Sequence, residues 1–179
     1  MRLNEIFVLI EKTDVFADIG CDHGLLCKMV ADAGKAERIL AVDISNACLD
    51  KARALLVDRA EYFLGDGLKP LGDIVPDVTV ISGMGGNTVL HIIDGRILPE
   101  LIISPQNDVY KVRDKLTSGG YKIVEDKVVF DSGKFYDIIK LVPGEQHLST
   151  LQKTFGVFFD RGDEAFRQRL LRDKKNLLS

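Results

Sequence analysis

From Asp14 to Val142, short β-branched apolar runs alternate with stretches in which apolar residues recur every three or four positions. These two periods separate buried strands from amphipathic helices. The runs Asp14 to Ile19, Arg38 to Ile44, Glu61 to Leu64, Val78 to Ser82 and Leu101 to Ser104 predict five strands. Helices are predicted between them over Leu25 to Ala33, Ser45 to Asp58, Asn87 to Ile93 and Asp108 to about Ser118, the second with Leu49, Ala52, Leu55 and Leu56 on one face. Pro70 and Pro76 interrupt the connection between the third and fourth strands, so no long helix fits there. Lys122 to Phe130 and Phe135 to Val142 flank Asp131-Ser132-Gly133-Lys134 and read as a hairpin with a glycine turn. The expected fold class is therefore α/β: a Rossmann-like doubly wound sheet of five parallel strands plus an antiparallel carboxyl-terminal hairpin. A short helical tail follows, with Phe166, Leu170, Leu171, Leu177 and Leu178 as its apolar stripe.

The first strand runs into Asp18-Ile19-Gly20-Cys21-Asp22-His23-Gly24. A glycine turn between strand and helix lets a ligand approach the backbone, and helix amino ends commonly hold phosphate. Here a pyrophosphate would meet Asp18 and Asp22, and like charges repel strongly where solvent is excluded. The glycines also read G-x-x-x-G, not the dinucleotide fingerprint G-x-G-x-x-G. A cationic cofactor fits better, and S-adenosylmethionine presents an ammonium and a sulfonium to those carboxylates.

Asp43 ends the second strand, 25 positions after Asp18, where an acidic side chain in a nucleoside-binding βαβ unit accepts from ribose hydroxyls. It also fits a cap for the helix that follows, although Ser45 can fill that role. Past the third strand, Asp66 between Gly65 and Gly67 suits an adenine amino group or an ordinary turn. Strand four ends in Ser82-Gly83-Met84-Gly85-Gly86 and strand five in Ser104-Pro105-Gln106-Asn107-Asp108. Ligands of open α/β sheets lie outside the carboxyl ends of the strands, so both tails should face the reacting group. The amides of Gln106 and Asn107 suit either the edge of a base or loop backbone.

The 179 residues, 46% of them apolar, suffice for one substantial core. The apolar run Ile6 to Ile10 is too short for a secretory signal, and no stretch is long enough to span a bilayer, so no membrane partner is expected. Cys21, Cys27 and Cys48 lack metal or C-x-x-C spacing, which predicts a reduced, cytoplasmic setting. His23, His91 and His147 lack ligand-like spacing, so no metal is expected. The net charge of -3 gives no independent sign of nucleic acid. Oligomeric state is not legible.

Taken together, DIGCDHG, AVDIS, GDG, ISGMGGN, ISPQND and DSGKFYDIIK resemble the bacterial tRNA (adenine(22)-N1)-methyltransferase family, from Arg2 to Val142. The resemblance implies methyl transfer from S-adenosylmethionine to N1 of an adenine in the D-arm region of tRNA. It implies cofactor contacts at Asp18, Gly20, Asp22, His23, Gly24, Asp43 and Ile44, then Gly65, Asp66, Gly67, Ser82, Gly83, Met84, Gly85 and Gly86. Pro105, Gln106 and Asn107 become the base-side turn, with Asp22 and Asn107 as the catalytic candidates. Residues 1–142 would form the methyltransferase domain, and 143–179 a linker and the start of a helical region that is longer in the family.

Residues 143–179 hold seven basic and five acidic side chains, against 17 and 22 in 1–142, so positive charge gathers in the tail. That charge could serve RNA phosphates or be a solvated helix face. Tyr110, Phe135 and Tyr136 are candidates for contact with an extruded base, and each also fits a core or rim position. Two other readings stay open: a small-molecule methyltransferase on the same fold, and a cofactor-binding module that is inactive without a longer tail.

Overall fold

The computed structural model describes residues 2–177, the side chains of 176 and 177 excepted, so Leu178 of the expected stripe lies outside the described residues. Seven strands form one sheet: β1 (Thr13–Ile19), β2 (Ala36–Asp43), β3 (Glu61–Leu64), β4 (Val78–Ser82), β5 (Glu100–Ser104), β6 (Tyr121–Asp131) and β7 (Lys134–Pro143). The spatial order is β3-β2-β1-β4-β5-β7-β6, with β1 to β5 parallel and β7 antiparallel to both β5 and β6. The hairpin therefore folds back so that its second strand joins the sheet and its first becomes the edge. Ser132 and Gly133 both adopt positive φ, as a two-residue turn matched to strand twist requires.

Helices α2 (Leu25–Asp32), α3 (Asn46–Leu56) and α4 (Gly86–Ile93) connect parallel strands, and α5 (Val109–Ser118) leads from β5 into the hairpin. Leu49, Ala52 and Leu56 of α3 are buried, whereas Leu55 is only half-buried. Apolar clusters cover both faces of the sheet. One holds Leu40, Val42, Ile81, Ile103 and Leu141, the other Phe16, Ala41, Val80, Ile102 and Ile138. Adjacent positions on one strand, such as Leu40 and Ala41, thus face opposite layers.

Three helices lie outside the alternating core. α1 (Arg2–Leu9) was not predicted, because eight residues without a capping signal carry little periodic information. Ile6 fixes it, fully buried, and Lys35 Nζ closes its carboxyl end by donating to the carbonyls of Phe7 (2.9 Å) and Ile10 (2.5 Å). α6 (Thr150–Phe155) begins with a capping box between Ser149 and Gln152. α7 (Glu164–Leu177) buries Phe166 but leaves Leu170 and Leu171 exposed, so much of the expected apolar stripe has no core to enter.

The tail is fastened by charge. Arg113 of α5, almost wholly buried, forks onto Asp126 of β6 (2.9 and 2.7 Å) and reaches Asp137 of β7 (2.7 Å) and the Lys153 carbonyl of α6 (3.2 Å). Arg169 of α7 completes the pairing of Asp137 at 2.8 Å. Burial pushes the Asp126 carboxyl up and Arg113 opposes it. Such a buried network gives weak net stabilisation while intact, but breaking it strands charges in a dry interior.

Among the described residues no helix is long and apolar enough to cross a membrane.

Candidate functional site

The chain steps from β3 across β2 and β1 to β4, so β1 and β4 lie side by side with their connections leaving in opposite directions. At such a point the loops after the strands part and a crevice opens. A cleft of about 770 Å³ lies there, open to solvent.

Asp18 lines its floor. The carboxylate is 4% exposed, receives only the weak Cys27 S–H at 3.7 Å, and forms no ion pair among the described residues. Burial, with smaller contributions from the charges of Asp43 and Asp22, pushes its pKa from 3.8 to about 7. Burial likewise raises the Cys21 and Cys27 thiols, so both are held protonated. A buried carboxylate at a cleft floor without a cation is a receptor for a positive ligand.

The turn after β1 is shaped by close approach. Gly20 and Cys21 donate to the Val42 carbonyl at 2.8 and 3.0 Å. A Cβ added at Gly20 would lie 2.1 Å from the Met84 methyl, and φ there is +76°. The positive φ is what calls for glycine, since the Met84 methyl is the free end of a flexible side chain and can move aside.

Asp43 ends β2 and braces the same turn, accepting from the Asp22 amide (2.9 Å) and the Ser45 amide (2.8 Å). One carboxylate oxygen serves each bond, which leaves a lone pair on each for ribose hydroxyls. The helix cap is Ser45, through the Cys48 amide (3.4 Å), and not Asp43, which instead supports the turn leading into α3.

Asp22 stands at the cleft mouth with φ +51°. His23 Nδ1 lies 2.8 Å from its carboxylate, and Lys51 Nζ lies 2.9 Å from His23 Nε2. An ammonium can only donate, so Nε2 accepts and Nδ1 carries the proton given to Asp22. His23 chiefly, with Cys48 and Lys51, holds the Asp22 carboxyl below its ordinary range. Asp66 is also kept ionised, by Lys69 at 2.5 Å. Ile44, 74% exposed, and Ile92 add apolar surface to the lining.

Gly20, Gly65, Gly67, Ser82, Gly83, Met84 and Gln106 line the cleft together with the groups above. Gly24 does not, being packed on Ala52 and Leu56 of α3. Gly85 and Gly86 lie behind the wall against Asn107, whose Oδ1 accepts from the Gly86 amide at 2.9 Å. Pro105 is buried. Of the expected base-side turn, only Gln106 reaches the cleft. Sequence reasoning missed Arg2 and Asp131, which with Tyr136 form the rim beside Gly83; α1 had no signal, and Asp131 was read only as part of a turn.

An open, mostly parallel sheet with acidic groups at the ends of β1, β2 and β3 defines a nucleoside-binding α/β domain built for a ligand carrying positive charge. The sequence profile of the methyltransferase domain matches residues 1–139, and the chain belongs to that family. A Mycoplasma pneumoniae protein provisionally named a tRNA methyltransferase is 29% identical over 158 residues, covering 83% of this chain and 74% of its own. The Bacillus subtilis tRNA (adenine(22)-N(1))-methyltransferase is 26% identical over 157 residues, covering 81% of this chain and 65% of its own length. M. capricolum TrmK, solved with S-adenosyl-homocysteine, superposes with a TM-score of 0.90 at 25% identity, covering 99% of this chain and 84% of its own.

Proposed function

We propose that this protein transfers the methyl group of S-adenosylmethionine to N1 of an adenine in the D-arm region of tRNA. The observation that carries the reading is the buried Asp18 carboxylate beneath the Gly20 turn, without an ion pair among the described residues, in a cleft whose other acidic groups are Asp22, Asp43, Asp66 and Asp131. That set repels a pyrophosphate and accepts a cation. The Bacillus and M. capricolum proteins support the substrate and cofactor respectively.

When bound, S-adenosylmethionine supplies an electrophilic methyl group on a sulfonium. Asp18 would hold the ammonium, Asp43 would take ribose hydroxyls on its two free lone pairs, and Asp66 would accept from the adenine amino group. Ile44 and Ile92, which line the cleft, would give that adenine an apolar surface. Ser82, Gly83, Met84 and Gln106 form the wall that the incoming base meets.

Adenine N1 bears a free lone pair at neutral pH, so attack needs no prior deprotonation and positioning is the main task. Methylation leaves the base cationic. Asp22, held ionised by His23, offsets that growing charge; its lowered pKa makes it a counter-charge before it is a base. Asn107 acts indirectly here, bracing the Gly86 amide so that Gln106 faces the cleft.

The test is incubation with isotopically labelled S-adenosylmethionine and unmodified tRNA transcripts, followed by mass spectrometry of the nucleosides. Labelled 1-methyladenosine from the D-arm region is the expected product. Label confined to small molecules, or absent altogether, would overturn the proposal.

A further inference from the structure

The cleft contains a conflict. It is lined by five carboxylates, Asp18, Asp22, Asp43, Asp66 and Asp131, yet the substrate proposed above is a polyanion. The one arginine or lysine among the described lining residues is Arg2. Its backbone amide donates to Asp131 at 3.0 Å, which pins the start of α1 to the β6–β7 turn. Its guanidinium lies over the Tyr136 ring, 4.7 Å from the centroid, and reaches to within 3.8 Å of where a Gly83 Cβ would stand. Its side-chain N–H groups donate no hydrogen bond to a described residue, and its charge is balanced only by the nearby Asp131 carboxylate, which it helps hold ionised. A fixed, planar, always-charged fork with unused donors is suited to a phosphate, and aromatic stacking fixes its plane without consuming those donors.

Resting on the function proposed above, we infer that Arg2, oriented by Tyr136, is a phosphate-binding subsite for the nucleotide that delivers the target adenine. Its position decides the assignment. Asp43 and Gly65 stand on the ribose side of the crevice, at the ends of β2 and at β3, whereas Arg2 stands over Gly83 on the side where β4 and β5 end and Gln106 faces in. A phosphate there is shielded from the acidic floor by the guanidinium. The base attached to it can enter toward Gln106. Arg2 contacts substrate directly, and Tyr136 is a positioning residue.

The experiment uses the full chain with unmodified tRNA transcript, measuring kcat, KM and the salt dependence of tRNA binding for Arg2→Ala, Arg2→Lys, Tyr136→Leu and Tyr136→Phe. Lys12→Ala, just before β1 at the opposite end of the sheet, controls for loss of one charge. Arg2→Ala should raise KM for tRNA about tenfold and lower the slope of log K against log salt by about one. Calorimetric affinity for S-adenosylmethionine should be unchanged, which also reports an intact fold. Arg2→Lys should restore the salt slope and only part of KM; Tyr136→Phe should match wild type, and Tyr136→Leu should match Arg2→Lys. An active wild type with unaltered KM and salt slope in Arg2→Ala, or an equal loss in Lys12→Ala, overturns the subsite alone. A wild type that binds S-adenosylmethionine but methylates no tRNA overturns the parent reading and the subsite with it.

Discussion

Replacing Asp18 by Asn should stabilise this protein while disabling its cleft. In the folded chain the carboxyl is pushed from 3.8 to about 7, mainly by burial, with only the Cys27 thiol opposing. The folded state therefore holds the proton more tightly than the unfolded chain does. Stability from this group is full below about pH 4, falls as pH rises, and is lost by the time pH passes about 7. The cost of keeping the ionised carboxylate buried is about 4 kcal/mol at pH 8, at about 1.36 kcal/mol for each tenfold change in proton affinity. An amide of the same shape carries no such penalty, although its own burial recovers part of it. The variant should exceed wild type by about 2–4 kcal/mol at pH 8 and by much less at pH 5, which corresponds to a rise in Tm of roughly 5–15 °C at pH 8. Urea titrations at both pH values measure this directly. Calorimetry should show S-adenosylmethionine binding at least about tenfold weaker, since a charge-assisted contact is lost. In wild type the same affinity should tighten as pH rises toward 7 and then level off. A variant no more stable than wild type at pH 8, with a difference that does not change between pH 5 and 8, would refute the reasoning.

Asp22→Asn should leave cofactor affinity within about threefold and lower kcat by roughly 10- to 100-fold, as expected when a counter-charge to a developing cation is removed; unchanged turnover at saturating tRNA would take Asp22 out of the chemistry. Gly20→Ala strains the turn at φ +76° and pushes the flexible Met84 methyl aside, so it should weaken cofactor binding about tenfold in a chain that still folds, as read by calorimetry beside circular dichroism. The partner change Met84→Ala should recover part of that binding. Arg113→Met leaves Asp126 and Asp137 without their buried partner and should cost about 3–5 kcal/mol in urea denaturation. A loss under about 1 kcal/mol would mean the network is solvated.

Much of the sheet is legible because five strands ending at one edge leave a strong trace: β-branched runs separated by helical periods. β3 and β4 match at both ends, β1 and β5 at their carboxyl ends, and the remaining strand boundaries move by one or two residues. The cofactor side is legible for the same reason, since a strand must deliver Asp18 and Asp43 to the crevice and those positions can be counted. The base side is less so. Three consecutive residues, Pro105, Gln106 and Asn107, look equivalent in sequence, but a turn points one in and spends the next on the Gly86 amide. α1 is invisible because its reason for folding, Ile6 under the hairpin and Lys35 at its carboxyl end, lies far away in sequence. α6 was detectable: Ser149 and Gln152 have capping-box spacing, and only the expectation of a linker hid it. The burial of Arg113 leaves no local trace, because its two aspartates arrive from strands that follow it.

The central claim is that an acidic cleft selects a positively charged methyl donor over phosphorylated nucleotides. Isothermal titration of the purified chain at pH 8 with S-adenosylmethionine, and separately with NAD and ATP, tests it most directly. Saturable one-to-one binding of S-adenosylmethionine, lost in Asp18→Asn, with no heat from NAD or ATP at millimolar concentration, is the result predicted. Binding of NAD or ATP in place of S-adenosylmethionine would contradict the account.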